Sequence, residues 1–191
     1  MTTQPFDGNP PVFGALGRLY QSVYGTAQNL ISHALLALFA RLAIAGVFWR
    51  SFLNKVETNG LFDYVEVINN FEVQRSLMKV PAFPITIEDS TFAQFGEGGM
   101  FELPLIPGGV AAVMATAGEG ILPILLVLGL LTRFAATGLI VMALVIQIFV
   151  FPTNAHFWGS IALWFVPLFY LVGRGSGPIS VDHLLSRQLA R

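Results

Sequence analysis

The sequence contains no cysteine, and only 11% of its 191 residues are charged. The absence of cysteine excludes disulfides, thiolate zinc sites and cysteine-ligated iron–sulfur clusters. Soluble domains carry about 25% charged residues, so the low charge indicates a protein whose solvent is the lipid bilayer. The hydrophobic share of 54% and the mean hydropathy of +0.69 agree with this. The sequence has no basic patch that could neutralise phosphates, so nucleic acid is not expected as a partner.

Familiar cofactor signatures are missing as well. The three histidines, His33, His156 and His183, fall at different predicted depths, so a bis-histidine haem is not expected. No glycine-rich phosphate loop stands between a strand and a helix. The acidic residues of 56–109 are scattered and lack the spacing of metal ligands, so no metal site is predicted. We therefore expect no intrinsic cofactor.

Four apolar runs are long enough to cross a membrane as helices, since about 20 residues at ~1.5 Å each match a ~30 Å hydrocarbon core. They cover residues 34–53, 110–131, 134–151 and 155–172. Only Thr132 and Arg133 separate the second run from the third, so these two helices should run antiparallel. The sequence therefore predicts an all-α membrane protein, an antiparallel bundle of four transmembrane helices within residues 34–185, followed by a tail at 186–191.

The segments outside the predicted spans have their own patterns. Residues 1–33 begin as a Pro-rich tail and continue from Val12 with helical periodicity, which predicts an amphipathic helix at the membrane interface or, equally, one packed on the bundle end. Residues 56–109 form a long loop that is too long to lack structure, with a short helix predicted for Phe62 to Phe71. Ser180 is predicted to cap a final amphipathic helix.

The arginines set the expected orientation. The ends of the predicted spans on one side of the membrane carry Arg18, Arg133, Arg174, Arg187 and Arg191. By the positive-inside rule this side is cytoplasmic, together with the N- and C-termini. The long loop at 56–109 is then extracytoplasmic. It carries most of the acidic residues of the chain.

Glu119 stands near the middle of the second predicted span. An ionisable group at this depth costs roughly 2.5 kcal/mol or more, so it should face the protein interior and have a partner. Counting from the predicted span ends, Glu119 lies ~18 Å above the inner boundary, Arg41 ~10 Å and Arg50 ~24 Å. Helical phase puts the two arginines on opposite faces, and Arg50 is close enough to the outer boundary to reach headgroups. We therefore predict an ion pair between Arg41 and Glu119, either structural or catalytic.

Further polar groups are candidates for binding a ligand or cofactor. Gln147 is predicted ~20 Å above the inner boundary, level with Glu119, as interhelical glue or as a ligand-binding group. Thr116 lies on a ridge of small residues, Ala112, Thr116 and Gly120, that permits close helix packing. His156 and Trp164 are ligand candidates or members of an interfacial aromatic belt. A polar group is predicted at the outer mouth: Arg50, Asn54, Lys55 and Glu57.

The chain resembles the DoxX family of small four-helix membrane proteins of bacteria and archaea. The resemblance covers roughly residues 34–185 and rests on RLAIAGVFWRSFLNKVE (41–57), DSTFAQF (89–95), LPLIP (103–107), ATAGEGILPILLVLGLLTRFAA (115–136), VIQIFVFP (145–152) and GRGSGPISVDHLL (173–185). The family's early arginine and following lysine match Arg41 and Lys55, and its acidic residue before an LP run matches Glu119. The chain departs from the pattern at Phe52, where the family often has a small residue, and in the short turn after Pro152.

The resemblance implies a multi-pass protein of the bacterial or archaeal cytoplasmic (inner) membrane. It also implies partners, because some members resemble the membrane subunit of a thiosulfate:quinone oxidoreductase and others associate with membrane redox or metal-stress systems. One hypothesis is an accessory or scaffold subunit whose loop at 56–109 binds a protein partner. Another is a quinone-linked oxidoreductase subunit that uses a cavity at Glu119, and a third is a small transporter. With no redox-active residue of its own, the chain would transfer electrons through bound quinone or a partner. The oligomeric state is not predicted.

Overall fold

The computed structural model describes residues 32–68 and 71–189, together with residues 14, 17, 18 and 20. Most of the interfacial helix predicted within residues 12–31 therefore lies outside the described residues. The described chain is mainly helical. Its elements are named below in chain order.

Four helices are long and apolar enough to cross a membrane. They are α1 (His33–Leu53), α3 (Gly108–Leu128), α4 (Thr132–Val150) and α5 (Asn154–Arg174). The four predicted spanning helices are confirmed as helices, with ends that differ by at most three residues from the predicted ranges. Helix α1 packs against α3 and α5, and α4 packs against the same two helices. The four helices therefore form one closed set of contacts.

Local chemistry explains where these helices begin and end. The Ser32 hydroxyl accepts a hydrogen bond from the Leu35 N–H at the start of α1. Helix α3 ends at Leu128, and the Gly129 that follows has a left-handed φ of 67°, which suits a residue without a β-carbon. Thr153 caps α5 by accepting a hydrogen bond from the His156 N–H. Short π-helical segments occur inside two of the helices, Ile146–Val150 in α4 and Phe157–Ile161 in α5.

The core between the helices is built largely from small side chains. Its fully buried members include Ala37 on α1 and both Ala135 and Ala136 on α4. Larger apolar residues complete it, among them Ile44, Phe48, Leu126, Leu139, Leu168 and Leu171. Small residues let helix backbones approach closely, and this close packing is the main source of attraction between helices surrounded by lipid.

The tract between α1 and α3 contains an antiparallel β-ribbon. Strand β1 (Thr58–Ile68) pairs with strand β2 (Phe71–Pro81). The short helix predicted for Phe62 to Phe71 is therefore wrong. The reason is that DYVEVI is rich in β-branched and aromatic residues, which favour strands, and two asparagines, residues favoured in turns, separate this segment from FEV in the sequence. Most of the ribbon is exposed, and it makes few contacts with the helices.

The second half of the tract packs on the bundle. A short helix, α2 (Asp89–Phe95), contacts the first turns of α3. Phe95 is buried there with Ala111 and Ala112, and Phe101, Leu103 and Ile106 pack around them. Residues 89–106 therefore cover one end of the bundle, which we call the ribbon end.

The chain after α5 folds back onto the opposite end, which we call the C-terminal end. The Asp182 carboxylate accepts hydrogen bonds from the backbone N–H groups of Leu131 (2.8 Å) and Thr132 (3.0 Å) at the start of α4. Helix α6 (Val181–Leu189) follows, and the Ser180 hydroxyl accepts a hydrogen bond from the His183 N–H. The predicted final helix and its cap are present, and the helix continues past residue 185, where the predicted domain ended.

Candidate functional site

Glu119 forms an ion pair with Lys55. One carboxylate oxygen, Oε2, lies 2.7 Å from the Lys55 Nζ, and the same ammonium donates a second hydrogen bond to the Ser51 Oγ at 2.9 Å. Both side chains are largely withdrawn from solvent, with exposed fractions of 12% for Lys55 and 5% for Glu119. Charges in such a site interact more strongly than at a surface because water screens them less.

The predicted ion pair between Arg41 and Glu119 is therefore wrong. The prediction assumed that residue 34 of the first span and residue 131 of the second lie at the same level. In the structure a β-carbon at Gly129 would overlap the Arg41 guanidinium, and one at Gly120 would lie 3.0 Å from the Phe52 ring. Helix α1 is thus displaced along α3 by about two turns, or ~10 Å, relative to the assumed level. The displacement brings Ser51 and Lys55 to Glu119.

Arg41 has a different environment at the C-terminal end. It is only 1% exposed, and its Nη2 donates a hydrogen bond to the backbone carbonyl of Ile179 at 2.5 Å. Its Nε and Nη1 have no hydrogen-bond partner among the described residues. Asp182 is the carboxylate that interacts with it electrostatically. Arg41 therefore holds the segment after α5 and does not border the Glu119 site.

The ridge of small residues on α3 brings the helices together around Glu119. Ala112, Thr116 and Gly120 are all buried, and the Phe52 ring packs against Gly120. The Thr116 hydroxyl donates its hydrogen bond to the Ala112 carbonyl, one turn earlier on the same helix. Thr116, a candidate ligand-binding residue, therefore has a packing position within α3.

A cavity of about 360 Å³ lies beside the ion pair at the ribbon end. Ser51, Lys55 and Glu119 form its polar wall, and the other lining residues are mostly apolar. They come from α2 to α5 and from the segments that follow α2 and α4: Phe95, Phe101, Leu103, Ile106, Ala111, Met114, Ala115, Gly138, Val141, Met142, Val145, Ile146, Val150, Phe151, His156 and Trp164. A mostly apolar pocket with a few polar groups is the usual form of a small-molecule site.

His156 and Gln147 form a second polar group, and His156 lines the cavity. The Gln147 Nε2 donates to the Thr153 carbonyl at 3.2 Å, and its Oε1 lies 3.1 Å from the His156 Nδ1. Since the amide oxygen only accepts, Nδ1 carries the hydrogen and the Nε2 of a neutral His156 is left as an acceptor. Gln147 does not itself line the cavity. Its contact with the cavity is therefore indirect, through the hydrogen bond that orients the His156 ring.

Aromatic rings connect the two polar groups. The Lys55 Nζ lies 6.0 Å from the centroid of the Phe101 ring, and Phe101 and Phe151 are 6.4 Å apart. The Phe151 and His156 rings are 4.8 Å apart, and His156 meets Trp164 edge-on at 6.4 Å. The rings between the ion pair and His156 provide faces and edges against which a planar ring can stack.

The two π-helical segments border this cavity. Ile146, Val150 and Phe151 lie in or directly after the first segment, and His156 directly precedes the second. A π-helical turn holds an extra residue and often occurs at functional sites, because it alters the direction of the side chains that follow. The segments are therefore part of what directs side chains from α4 and α5 toward the cavity.

The predicted outer-mouth group separates in the structure. Lys55 lines the cavity, whereas Arg50, Asn54 and Glu57 are exposed. The sequence predicted Lys55 as a member of this outer-mouth group and not as the partner of Glu119. It missed Ser51 and Phe101 altogether. Within the part of the chain that the structure describes, no three His, Asp or Glu residues are grouped so as to hold a metal ion.

Comparison with known proteins identifies the family. No curated protein and no solved structure matches the chain. The family model described as DoxX matches residues 36–152, which is more than half of the chain and includes the ion pair, Gln147 and most of the cavity wall. The chain, with its four apolar helices, belongs to the DoxX family of membrane proteins.

Proposed function

We propose that this DoxX-family protein is an accessory subunit of a membrane redox complex and that it binds the head group of a quinone in the cavity beside Glu119. The single observation that carries the proposal is the buried Lys55–Glu119 pair in the wall of an otherwise apolar and aromatic cavity. A quinone head group is planar and apolar over its ring faces, and it has two carbonyl oxygens on opposite edges. Its chemistry matches that of the cavity.

Lys55 has one donor left for a ligand. An ammonium group has three N–H donors, and two of them are used by Ser51 and Glu119. The third can bind a quinone carbonyl. Because this hydrogen bond is made by a charged donor in a site with little water, it is stronger than one between neutral groups.

His156 is the counterpart for the second carbonyl. With Nδ1 bound to the Gln147 oxygen, its Nε2 accepts a proton from a quinol hydroxyl or, when the ring is protonated, donates to a quinone carbonyl. Reduction of one quinone takes two electrons and two protons and yields a quinol. His156 and Glu119 exchange the protons in this proposal, and the electrons come from an electron-transferring protein of the complex.

A quinone dissolved in the membrane needs a route from the lipid. Met114 on α3 and Val141 on α4 line the cavity and are 60% and 56% exposed. These residues support an opening between α3 and α4, on the apolar surface of the bundle. The isoprenoid tail of the ligand would remain in the lipid while its head group occupies the cavity.

Binding of decylubiquinone to the full chain in lipid nanodiscs tests the proposal. We expect it to quench tryptophan fluorescence, since Trp164 lines the cavity. The double variant Lys55→Met/Glu119→Leu replaces the ion pair with apolar residues of similar size. It should weaken binding about tenfold to a hundredfold, the range for loss of a charge-assisted hydrogen bond.

Thr116→Val is the matched control, because the Thr116 hydroxyl is buried close to Glu119 in sequence but is bound within α3. It should bind decylubiquinone as the wild type does. His156→Phe tests the second polar group and should also weaken binding. Wild-type affinity in the Lys55→Met/Glu119→Leu variant would contradict a quinone site at this ion pair.

A second candidate function, that of a scaffold, is favoured by the β-ribbon. The ribbon is exposed on both faces and carries apolar side chains with large exposed fractions, including Phe62 (73%), Phe71 (74%) and Leu77 (71%). An isolated two-stranded ribbon is only marginally stable in water, so a partner protein that covers these side chains would stabilise it. The partner would be the electron-transferring protein required above.

Removal of the ribbon tests the scaffold function. Replacing residues 60–79 by a short Gly-Ser link leaves the elements that line the cavity in place. We expect the variant to insert in the membrane and bind decylubiquinone but to lose co-purification of its protein partner. The matched control is Phe83→Ser, which changes an exposed aromatic residue just outside the ribbon. Unchanged co-purification after ribbon removal would contradict this function.

The proposed arrangement in the membrane follows from charge. The C-terminal end carries Arg133, Arg174 and Arg187, so we propose that it faces the cytoplasm of a bacterial or archaeal cell, with the spans antiparallel across the inner membrane. The ribbon is then extracytoplasmic and meets a partner outside the cytoplasm. A cysteine introduced at Met78 should be labelled by a membrane-impermeant reagent from outside the cell. Labelling only after membrane disruption would contradict this orientation.

A further inference from the structure

A second cavity lies at the C-terminal end, on the opposite side of the bundle from Glu119. It is a groove of about 770 Å³ between the start of α4, the end of α5 and the residues that follow α5. We call it the basic groove because four basic side chains line it: His33, Arg133, Arg174 and His183. Neither arginine makes an ion pair with any of the described residues.

The basic groove contains one carboxylate, that of Asp182. Each oxygen of Asp182 accepts a backbone hydrogen bond, one from Leu131 and one from Thr132. A single carboxylate can balance only one of the two guanidinium charges of Arg133 and Arg174. The groove therefore has an excess of positive charge, and an anion is the ligand that this charge attracts.

Hydrogen-bond donors stand beside the charge. Thr132 lines the groove and is 1% exposed, and its Oγ1 has no hydrogen-bond partner among the described residues. Gly175 has a φ of 78°, and a β-carbon there would be 3.8 Å from the Arg133 Nε, so the guanidinium lies close to this backbone. A planar fork of N–H donors next to hydroxyl groups is suited to a phosphate group.

The surroundings of the groove are apolar. Leu131 and Phe134 line it and are 58% and 66% exposed, and Ile179 and Leu184 nearby are also exposed. The groove lies where α4 begins and α5 ends, which is the level of the lipid headgroups for helices that span the membrane. Exposed apolar side chains at this level favour a ligand that has acyl chains as well as a phosphate.

We propose that the basic groove binds the phosphate group of an anionic phospholipid, with Arg133 and Arg174 as the charged ligand-binding residues. The phosphate lies between the two guanidinium groups, and the acyl chains run along the exposed apolar residues of α4. This site is independent of the quinone site, because it uses no residue of the cavity beside Glu119.

Native mass spectrometry of the purified full chain titrated with phosphatidylglycerol tests the proposal. One basic residue near an anionic membrane surface typically raises the affinity about fivefold. Removing two such residues in Arg133→Gln/Arg174→Gln should therefore weaken binding of the first lipid about 25-fold. Both arginines are exposed, so the variant should fold, and the two single variants provide the same comparison at about fivefold each. Arg187→Gln removes one charge from the same end, outside the groove, and should change first-lipid binding less than twofold.

Two further arms separate the sources of phosphate. Phosphatidylcholine carries a phosphate but no net charge and should bind much more weakly than phosphatidylglycerol. Inorganic phosphate should not displace phosphatidylglycerol at millimolar concentration. Equal loss in Arg187→Gln and the groove variants would overturn the proposal, and so would displacement by inorganic phosphate with no lipid selectivity, since the groove would then hold a free anion.

Discussion

Replacing Lys55 by methionine is expected to lower the free energy of unfolding by about 3–5 kcal/mol, the usual cost of removing one partner from a buried ion pair. The cause is that Glu119 would keep its carboxylate in a site where its side chain is only 5% exposed, without the ammonium 2.7 Å away. Reversible unfolding of the purified protein in mixed detergent micelles measures the change. Glu119→Leu should have a similar effect, because it leaves the ammonium of Lys55 unpaired.

The double variant distinguishes the ion pair from simple loss of packing. Lys55→Met/Glu119→Leu removes both charges while keeping apolar volume, so its stability should return to within about 1–2 kcal/mol of the wild type. In the double-mutant cycle, the loss of stability in the double variant should therefore be much smaller than the sum of the losses in the two single variants. Additive losses in the double variant would show that the two side chains do not depend on each other.

Replacing Arg41 by alanine is expected to lower the free energy of unfolding by about 3 kcal/mol, a typical value for truncating a large buried side chain. Arg41 is among the largest fully buried side chains, and its Nη2 holds the Ile179 carbonyl. The loss should be concentrated at the C-terminal end, so protease should cleave within residues 175–183 much faster than in the wild type. Stability and the cleavage rate are measured on the same purified protein.

Arg50→Ala is the matched control for Arg41, since both are arginines of α1 and Arg50 is exposed. It should change the free energy of unfolding by less than about 0.5 kcal/mol, as surface substitutions usually do. Equal sensitivity of the two variants, or unchanged protease resistance in Arg41→Ala, would contradict the anchoring role of Arg41.

The four membrane-spanning helices could be predicted from the sequence, whereas the partner of Glu119 could not. Long apolar runs are sufficient to identify the four helices, because the bilayer makes length and hydropathy decisive. The need of Glu119 for a buried partner also follows from its position. The identity of that partner does not, because it depends on how far α1 is displaced along α3. The displacement comes from small contacts such as Phe52 against Gly120, which no periodicity encodes.

The tract between α1 and α3 illustrates a second limit. The polar residues of its first strand, Asp63 and Glu66, are three positions apart, a spacing that helices share, so the ribbon was missed. The basic groove was missed for a different reason. Arg133 and Arg174 are 41 positions apart, and the prediction from the sequence used them only to assign the orientation. The fold brings them together because the chain after α5 returns to the start of α4.

The bond between Arg41 and Ile179 spans 138 positions of the chain, and this separation has a consequence during synthesis. The ribosome delivers α1 first, so the growing protein holds a guanidinium at a membrane depth where its eventual acceptor does not yet exist. Only translation through Asp182 supplies the carbonyl and the carboxylate that compensate it. Until then the uncompensated charge of Arg41 makes the membrane insertion of α1 less favourable. A ribosome that stalls before this point leaves a product whose uncompensated charge distinguishes it from the finished protein.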